Sequence, residues 1–243
     1  MSTNVYWNIY DPITPNSSNY LVLTHFDPEP ILPYIIKNRE RPSDANTYTT
    51  CPAFLDYHKN TYVIRSPVDI QFKYDPKSGQ LNISPQSQDF YDSWVMHRGN
   101  YSPFLMSFGL YYLFIADQDC MVEQTPVTFH DNVVSSKIRL ISGTFNIGKW
   151  FRPIDFGFEF LDESQPLIIK RGDPLYYLRF VPKDNKKINL VKRKMSNEIH
   201  TSVESCINVK KGLTKQPLKV LYSLAEKLRP KVTKKCPFNW RNK

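Results

Sequence analysis

Residues 154–160, IDFGFEF, put Ile154, Phe156, Phe158 and Phe160 on one side of an extended chain and Asp155, Gly157 and Glu159 on the other. That alternation has period 2, which is the signature of a half-buried strand; wound as a helix, the four apolar side chains would scatter around the axis. Working outward, the run 167–170 (LIIK), the turn RGDP at 171–174 and the run 175–181 (LYYLRFV) read as a β-hairpin. Upstream, TYVIR (61–65) and VDIQFKY (68–74) are split by Ser66 and Pro67. DPKSG (75–79) then makes a turn, with Pro preset for its first bend, and QLNIS (80–84) completes a second hairpin. Stretches around 104–116, 120–129 and 137–147 supply further strands. The segment 86–101 has no clean period, and a loop and a short helix both accommodate it.

Composition agrees. The chain of 243 residues is 41% hydrophobic and rich in Tyr (15) and Phe (15), while Ala occurs only at positions 45, 53, 116 and 225. Aromatics favour pleated surfaces and Ala is the best helix former, so the bias points to strands, although an AT-rich coding sequence produces the same trend. Pro67, Pro76, Pro85, Pro166 and Pro182 fall at the ends of apolar runs, where a missing backbone donor costs least. Many short strands at this spacing imply a mainly β fold, a β-sandwich or jelly-roll-like domain over residues 1–182. The opening MSTNVYWNIYDP lacks a basic and then apolar leader, and no stretch is long enough to span a bilayer. A soluble protein that is not secreted by a standard signal is therefore expected. Cys51, Cys120, Cys206 and Cys236 form no close pair, which suggests reduced thiols, with Cys51 and Cys120 packed as small apolar groups.

Charge divides the chain sharply. Of its 32 Lys and Arg, 17 lie after Pro182, against 4 of its 23 Asp and Glu, so residues 183–243 carry a balance of +13 and residues 1–182 of −4. This reads as a folded domain followed by a basic, partly helical C-terminal extension at 183–243. Ser196 is a suitable N-cap for a helix running to about Val209 and ending near Gly212. Pro217 starts a second helix ending at Arg229, with Leu218, Leu221, Tyr222, Ala225 and Leu228 as its apolar stripe and Lys219 and Lys227 off it.

The basic residues fall into three clusters: Lys186, Lys187, Lys192, Arg193 and Lys194; Lys210, Lys211 and Lys215; and Lys231, Lys234, Lys235, Arg241 and Lys243. Such clusters attract polyanion backbones by counterion release, which makes nucleic acid or an acidic protein the expected partner. A solvated extension that only maintains solubility competes with this reading. Tyr176, Tyr177 and Arg179 could offer stacking platforms to single strands, but on alternating strands core packing is the better account of the tyrosines.

No catalytic signature of the P-loop, G-x-G-x-x-G, G-x-S-x-G or H-E-x-x-H type occurs. One metal pattern does. His25 and Asp27 form an H-x-D pair, and His130 with Arg139 nine residues later completes a spacing that resembles the Fe(II)/2-oxoglutarate oxygenases. That resemblance implies two imidazoles and a carboxylate on iron, with Arg139 holding the cosubstrate carboxylate. An H-x-D pair is common by chance, so no cofactor is the leading expectation, and Fe(II) with 2-oxoglutarate the alternative.

CPAFLDYHKNTYVIRSP (51–67), GKWFRPIDFGFEF (148–160) and LIIKRGDPLYYLRFVP (167–182) together resemble a family of proteins encoded by tailed bacteriophages, especially the large myovirus-type phages of marine bacteria. The last two also resemble the closing strands of cupin-type or jelly-roll domains. The resemblance covers residues 50–182, leaves the basic quarter uncovered and transfers no catalytic residue. It implies a protein acting in a host cytoplasm or assembled in a virion. The expected function is thus a non-enzymatic binding or structural module whose basic arm contacts nucleic acid or an acidic protein surface, the alternatives being a cupin-like oxygenase and a virion structural subunit.

Overall fold

The computed structural model describes residues 2–10, 25–39, 48–75, 77–78, 80–84, 95–97, 105–130, 133–162, 164–213 and 215–228. Along the chain run β1 (Asn4–Ile9), β2 (Glu29–Pro30), α1 (Ile31–Arg39), α2 (Pro52–His58), β3 (Thr61–Arg65), β4 (Ile70–Asp75) and β5 (Gln80–Ser84). There follow β6 (Val95–His97), β7 (Leu105–Ala116), β8 (Cys120–Thr125), α3 (Val133–Lys137), β9 (Ile138–Leu140) and β10 (Thr144–Asn146). The chain continues through β11 (Ile154–Phe160), β12 (Leu167–Ile169), β13 (Pro174–Pro182), β14 (Asn189–Lys192), α4 (Asn197–Gly212) and α5 (Leu218–Leu228).

The fold is mainly β with a helical C-terminal region. Sheet I has the order β14-β1-β7-β11-β9, with β6 also paired to β7; sheet II is β10-β8-β13-β3-β2; sheet III is β12-β4-β5. One apolar core joins them. Phe114 of sheet I meets Phe180 of sheet II at 5.2 Å between ring centroids, Phe156 meets Tyr176 at 5.6 Å, and Phe72 of sheet III meets Phe158 at 5.8 Å. In β11 the expected alternation holds: Ile154, Phe156 and Phe158 are buried in that core while Asp155, Gly157 and Glu159 are only partly covered.

The hairpin expected over 68–84 forms, β4 pairing with β5, while Pro76 and Gly79 of its turn lie outside the described residues. Asp75 accepts hydrogen bonds from the Lys77 amide (3.0 Å) and the Ser78 hydroxyl (2.7 Å), which hold its carboxyl below the usual carboxylate range. The hairpin expected at 167–181 does not form. β12 pairs with β4 in sheet III, and β13 pairs with β3 in sheet II. The RGDP turn is locally as read, with Asp173 N donating to Lys170 O and Gly172 at φ +92, but it passes the chain between sheets. Ser66 and Pro67 do the same on the neighbouring strand. The two crossings are tied by Ser66 N to Asp173 O (2.9 Å) and Gly172 N to Ser66 O (2.8 Å), so they form one shared corner of the sandwich.

In β7 the pairing with β11 shifts register between Ile154↔Tyr112 and Phe156↔Phe108, beside Tyr111, whose φ of +57 is a costly backbone state for a bulky residue. Both faces of the strand are also covered: Tyr112 and Phe114 enter the main core, whereas Leu113 and Ile115 point outward against helices.

Those helices are α4 and α5. Ile199, Val203, Cys206, Leu221 and Ala225 pack on Tyr10, Leu113, Ile115, Trp150 and Phe151, closing the outer face of sheet I. Ser196 caps α4 as expected, its hydroxyl accepting from Ile199 N. The outer face of sheet II is closed by α1, through Ile31 and Ile35 against Val63, Val127 and Tyr177.

The charge boundary at Pro182 marks the end of β13, and the partly helical extension beyond it packs on sheet I. β14 joins sheet I parallel to β1, from Asn4↔Asn189 to Trp7↔Lys192. The loop leading to it is pinned by buried Asn60, which donates to Lys186 O (2.8 Å) and accepts from Ile188 N (2.9 Å). An apolar strand-and-helix stretch that completes two buried surfaces has to fold with them. One correction concerns thiols: Cys120 and Cys206 are buried, as a small apolar group favours, but Cys51, expected to be packed, is exposed at the start of α2. Burial pushes the Cys120 thiol up to about 12. Among the described residues no helix is long and apolar enough to cross a membrane.

Candidate cationic surface

The first basic cluster is built on the edge of sheet I. β14 is too short to bury both faces, so Lys192 projects outward and is exposed, while Leu190 and Val191 are partly covered. Lys192 Nζ lies 2.8 Å from Asp27 Oδ1 and 4.8 Å from the centre of the Trp7 ring. Arg193 lies over the Tyr6 ring at 5.3 Å, and its carbonyl accepts from the Asn8 side chain (2.7 Å). Lys186 pairs loosely with Asp184 at 3.6 Å. Lys187 and Lys194 are exposed and make no ion pair among the described residues. Lysines also suit an unpaired sheet edge, since charge there resists pairing with another chain.

The second cluster lies at the other end of α4. That helix has 16 residues and so spans about 24 Å. Lys210 and Lys211 occupy its last turn, where a cation complements the helix dipole by about 0.3–1 kcal/mol. Lys211 and Lys215 are exposed, as are Lys219 and Lys227 on the outer face of α5, and none of the four forms an ion pair among the described residues. Leu218, Val220 and Leu228 of α5 are also exposed, as is Leu213 just before it. Lys231, Lys234, Lys235, Arg241 and Lys243 lie outside the described residues.

Lys210 also borders a groove of about 370 Å³ on the outer face of sheet I. Its lining includes Arg152, Asp155, Gly157, Ile141, Trp150 and Leu218. Arg152 and Asp155 pair at 3.3 Å, and Asp155 O accepts from the Gln124 side chain at 2.8 Å. Of these groups only Lys210 stood out in the sequence. The missed signal was Gly157, an isolated glycine inside a strand, which commonly marks a place where something else approaches the backbone.

The residues of the iron reading are not brought together. His25 Nε2 bonds Leu110 O at 2.9 Å and its ring sits edge-on to Tyr112. Asp27 is engaged by Lys192. His130 is buried behind sheet II, its Nδ1 2.8 Å from the Tyr177 hydroxyl and its ring stacked on Tyr34 at 3.8 Å. Arg139, on the β9 edge, is two-thirds exposed and bonds Glu159 at 2.8 Å. Each is held by a different neighbour, so the spacing that suggested a facial triad has no spatial counterpart. Among the described residues no group of three His, Cys, Asp or Glu is placed to hold a metal ion. Tyr176 and Tyr177 are both buried, the first in the main core and the second against α1, so neither offers a stacking face. Arg179 instead pairs with Glu123 at 2.8 Å and covers the Tyr57 ring.

No protein-family model matches the chain, and no curated protein matches it.

Proposed function

We propose that this protein is a non-enzymatic binding module whose C-terminal quarter presents lysines to the backbone of a nucleic acid. A phage protein working in a host cytoplasm or a virion accords with that role. The observation that supports it best is the density of lysines without ion pairs in this quarter: Lys187, Lys194, Lys211, Lys215, Lys219 and Lys227 are exposed and form none among the described residues, while Lys186 and Lys192 pair with Asp184 and Asp27. Cations left unneutralised on a rigid scaffold cost nothing to redirect toward phosphates. Their spread along the length of α4 suits an extended polyanion better than a compact acidic patch.

The test is a salt titration of the full-length protein against single- and double-stranded nucleic acid. Alongside it runs a variant carrying Lys187→Gln, Lys194→Gln, Lys211→Gln and Lys215→Gln. Log affinity should fall linearly with log salt, and the variant's slope on duplex should be shallower by about 0.9 for each phosphate it no longer neutralises. An affinity that ignores both salt and the four substitutions would end this reading. One observation favours a second reading. The exposed Leu213, Leu218, Val220 and Leu228 interleave with lysines, as at an interface with an acidic, partly apolar protein. Selective capture of such a partner with no nucleic-acid binding would choose it.

A further inference from the structure

We propose that the groove beside the α4–α5 turn binds a small neutral molecule, an apolar body of one or two rings whose single hydroxyl meets Ser107. Ser107 belongs to β7 and lines the groove. Its neighbours Met106 and Phe108 enter the main core, so its own side chain projects from the outer face of sheet I, directly opposite Gly157 of β11. The residue is only 3% exposed, yet its hydroxyl has no hydrogen-bond partner among the described residues. Buried polar groups are as a rule hydrogen-bonded, and the groove is the side from which a partner can enter. A serine hydroxyl both donates and accepts, and a ligand hydroxyl answers it in either sense. The volume, about 370 Å³, falls in the range of sites that enclose small molecules, and Ile141, Phe145, Trp150 and Leu218 among the walls call for an apolar body. The charged groups of the lining do not call for a charged one. Arg152 pairs with Asp155 at 3.3 Å, and Lys210 already has a partner within the protein, so a neutral ligand leaves all three as they are.

The backbone argues that the way to Ser107 is kept open. Gly157 sits mid-strand in β11, where a glycine weakens the element. Packing does not require it, because a Cβ there meets only Ile141 Cβ, at an ordinary 3.5 Å. Nor does conformation, because among the described glycines only Gly172 has positive φ. A glycine needed by neither its neighbours nor its own dihedrals, paired across the strands with Ser107, leaves room beside that hydroxyl. The helical cover stops short of this place: α4 ends at Gly212, and Leu218 of α5 and Ile141 remain exposed.

This site is independent of the polyanion reading, since Lys187, Lys194, Lys211 and Lys215 are not in its lining. Equilibrium dialysis of the full-length protein against 2-naphthol, 2-methylnaphthalene and 2-naphthoate tests it. The naphthol should bind at one saturable site, with the methyl and carboxylate analogues both weaker. Ser107→Ala should weaken the naphthol about tenfold and leave 2-methylnaphthalene unchanged, because only the first loses a hydrogen bond. Gly157→Leu should abolish naphthol binding while the thermal melt stays cooperative. If that variant fails to fold, Gly143→Phe serves, since a Cβ at Gly143 meets nothing within 4 Å. No saturable naphthol binding, or binding untouched by the folded groove-filling variant, overturns the site. Equal naphthol affinity in the parent and Ser107→Ala overturns the part given to that hydroxyl, and tighter binding of 2-naphthoate than of 2-naphthol overturns the neutral class.

Discussion

The two main sheets are covered on their outer faces in contrasting ways. Behind sheet II, α1 and α2 bring aromatic and aliphatic groups, and three cations near them are closed in pairs, Lys59 with Asp56, Arg65 with Glu29 and Arg179 with Glu123, while Lys37 of α1 is exposed without an ion pair among the described residues. Behind sheet I, α4 and α5 bury an equally apolar face, yet their outward side carries Lys211, Lys219 and Lys227 without ion pairs among the described residues. Closing a sheet constrains only the residues that point inward. What the outward side carries is left to function, and here, among the described residues, the cover of sheet I carries more lysines without ion pairs than the cover of sheet II.

The largest effect expected is from removing residues 183–243. That deletion takes away β14 and both helices, and it bares Tyr10, Leu113, Ile115, Trp150 and Phe151, each at most 4% exposed in the intact fold. The fragment 1–182 should be insoluble or lack a cooperative melt. A soluble fragment with a sharp transition would break the comparison by showing the sheet I cover to be an attachment. Next come single truncations in each cover. Ile35→Ala in α1 and Ile199→Ala in α4 remove side chains that are 0% and 3% exposed, and each should cost about 2–5 kcal/mol in denaturant unfolding. Neither should alter the salt slope of polyanion binding, and a slope change with Ile35→Ala would sever the link between that slope and the lysine-bearing cover. A smaller loss is expected where the regions are stitched together. Asn60→Leu leaves the Ile188 amide buried without its acceptor and should cost about 1–3 kcal/mol, read as a drop in the denaturation midpoint.

What the sequence disclosed follows from the range of each signal. The period of 154–160 and the pairing of 70–75 with 80–84 are local, and both are realised; so is the Ser196 cap. The partners of 167–169 and 174–182 are not local, so turn residues that suit a hairpin served a corner between sheets instead. The strand 189–192 is only four residues long and pairs with β1 across nearly the whole chain, which no periodicity can announce. Charge, by contrast, is visible at any distance in the chain. The lysines were therefore legible as a group, while their mounting on sheet I was not. The groove was illegible because it joins side chains from β11, the loop before it and the end of α4, with Gly157 as its only trace in sequence. The iron constellation failed for the converse reason, since spacing along the chain says nothing about convergence in space.

The smallest effect is a pH dependence confined to the sheet II cover. His58 ends α2 with its ring against Phe54 at 4.5 Å and Phe129 at 5.3 Å, and its Nδ1 is buried with no hydrogen-bond partner among the described residues. Burial first, and the nearby Arg179 charge second, hold its pKa below the ordinary 6.5. The fold therefore favours neutral imidazole, and on acidification the unfolded chain takes up its proton first. This contribution to stability is complete above about pH 6.5 and is lost as the pH falls from there through the lower folded value. His58→Phe keeps the ring contacts and cannot titrate, so its denaturation midpoint should fall less than that of the parent between pH 7 and 5. Acidification should therefore loosen α2 over sheet II. Hydrogen exchange at pH 5 and 7 would show this as faster exchange in residues 52–58 alone. Equal acceleration in 197–212, or pH profiles that coincide for parent and His58→Phe, would mean that the two covers do not respond to protons separately.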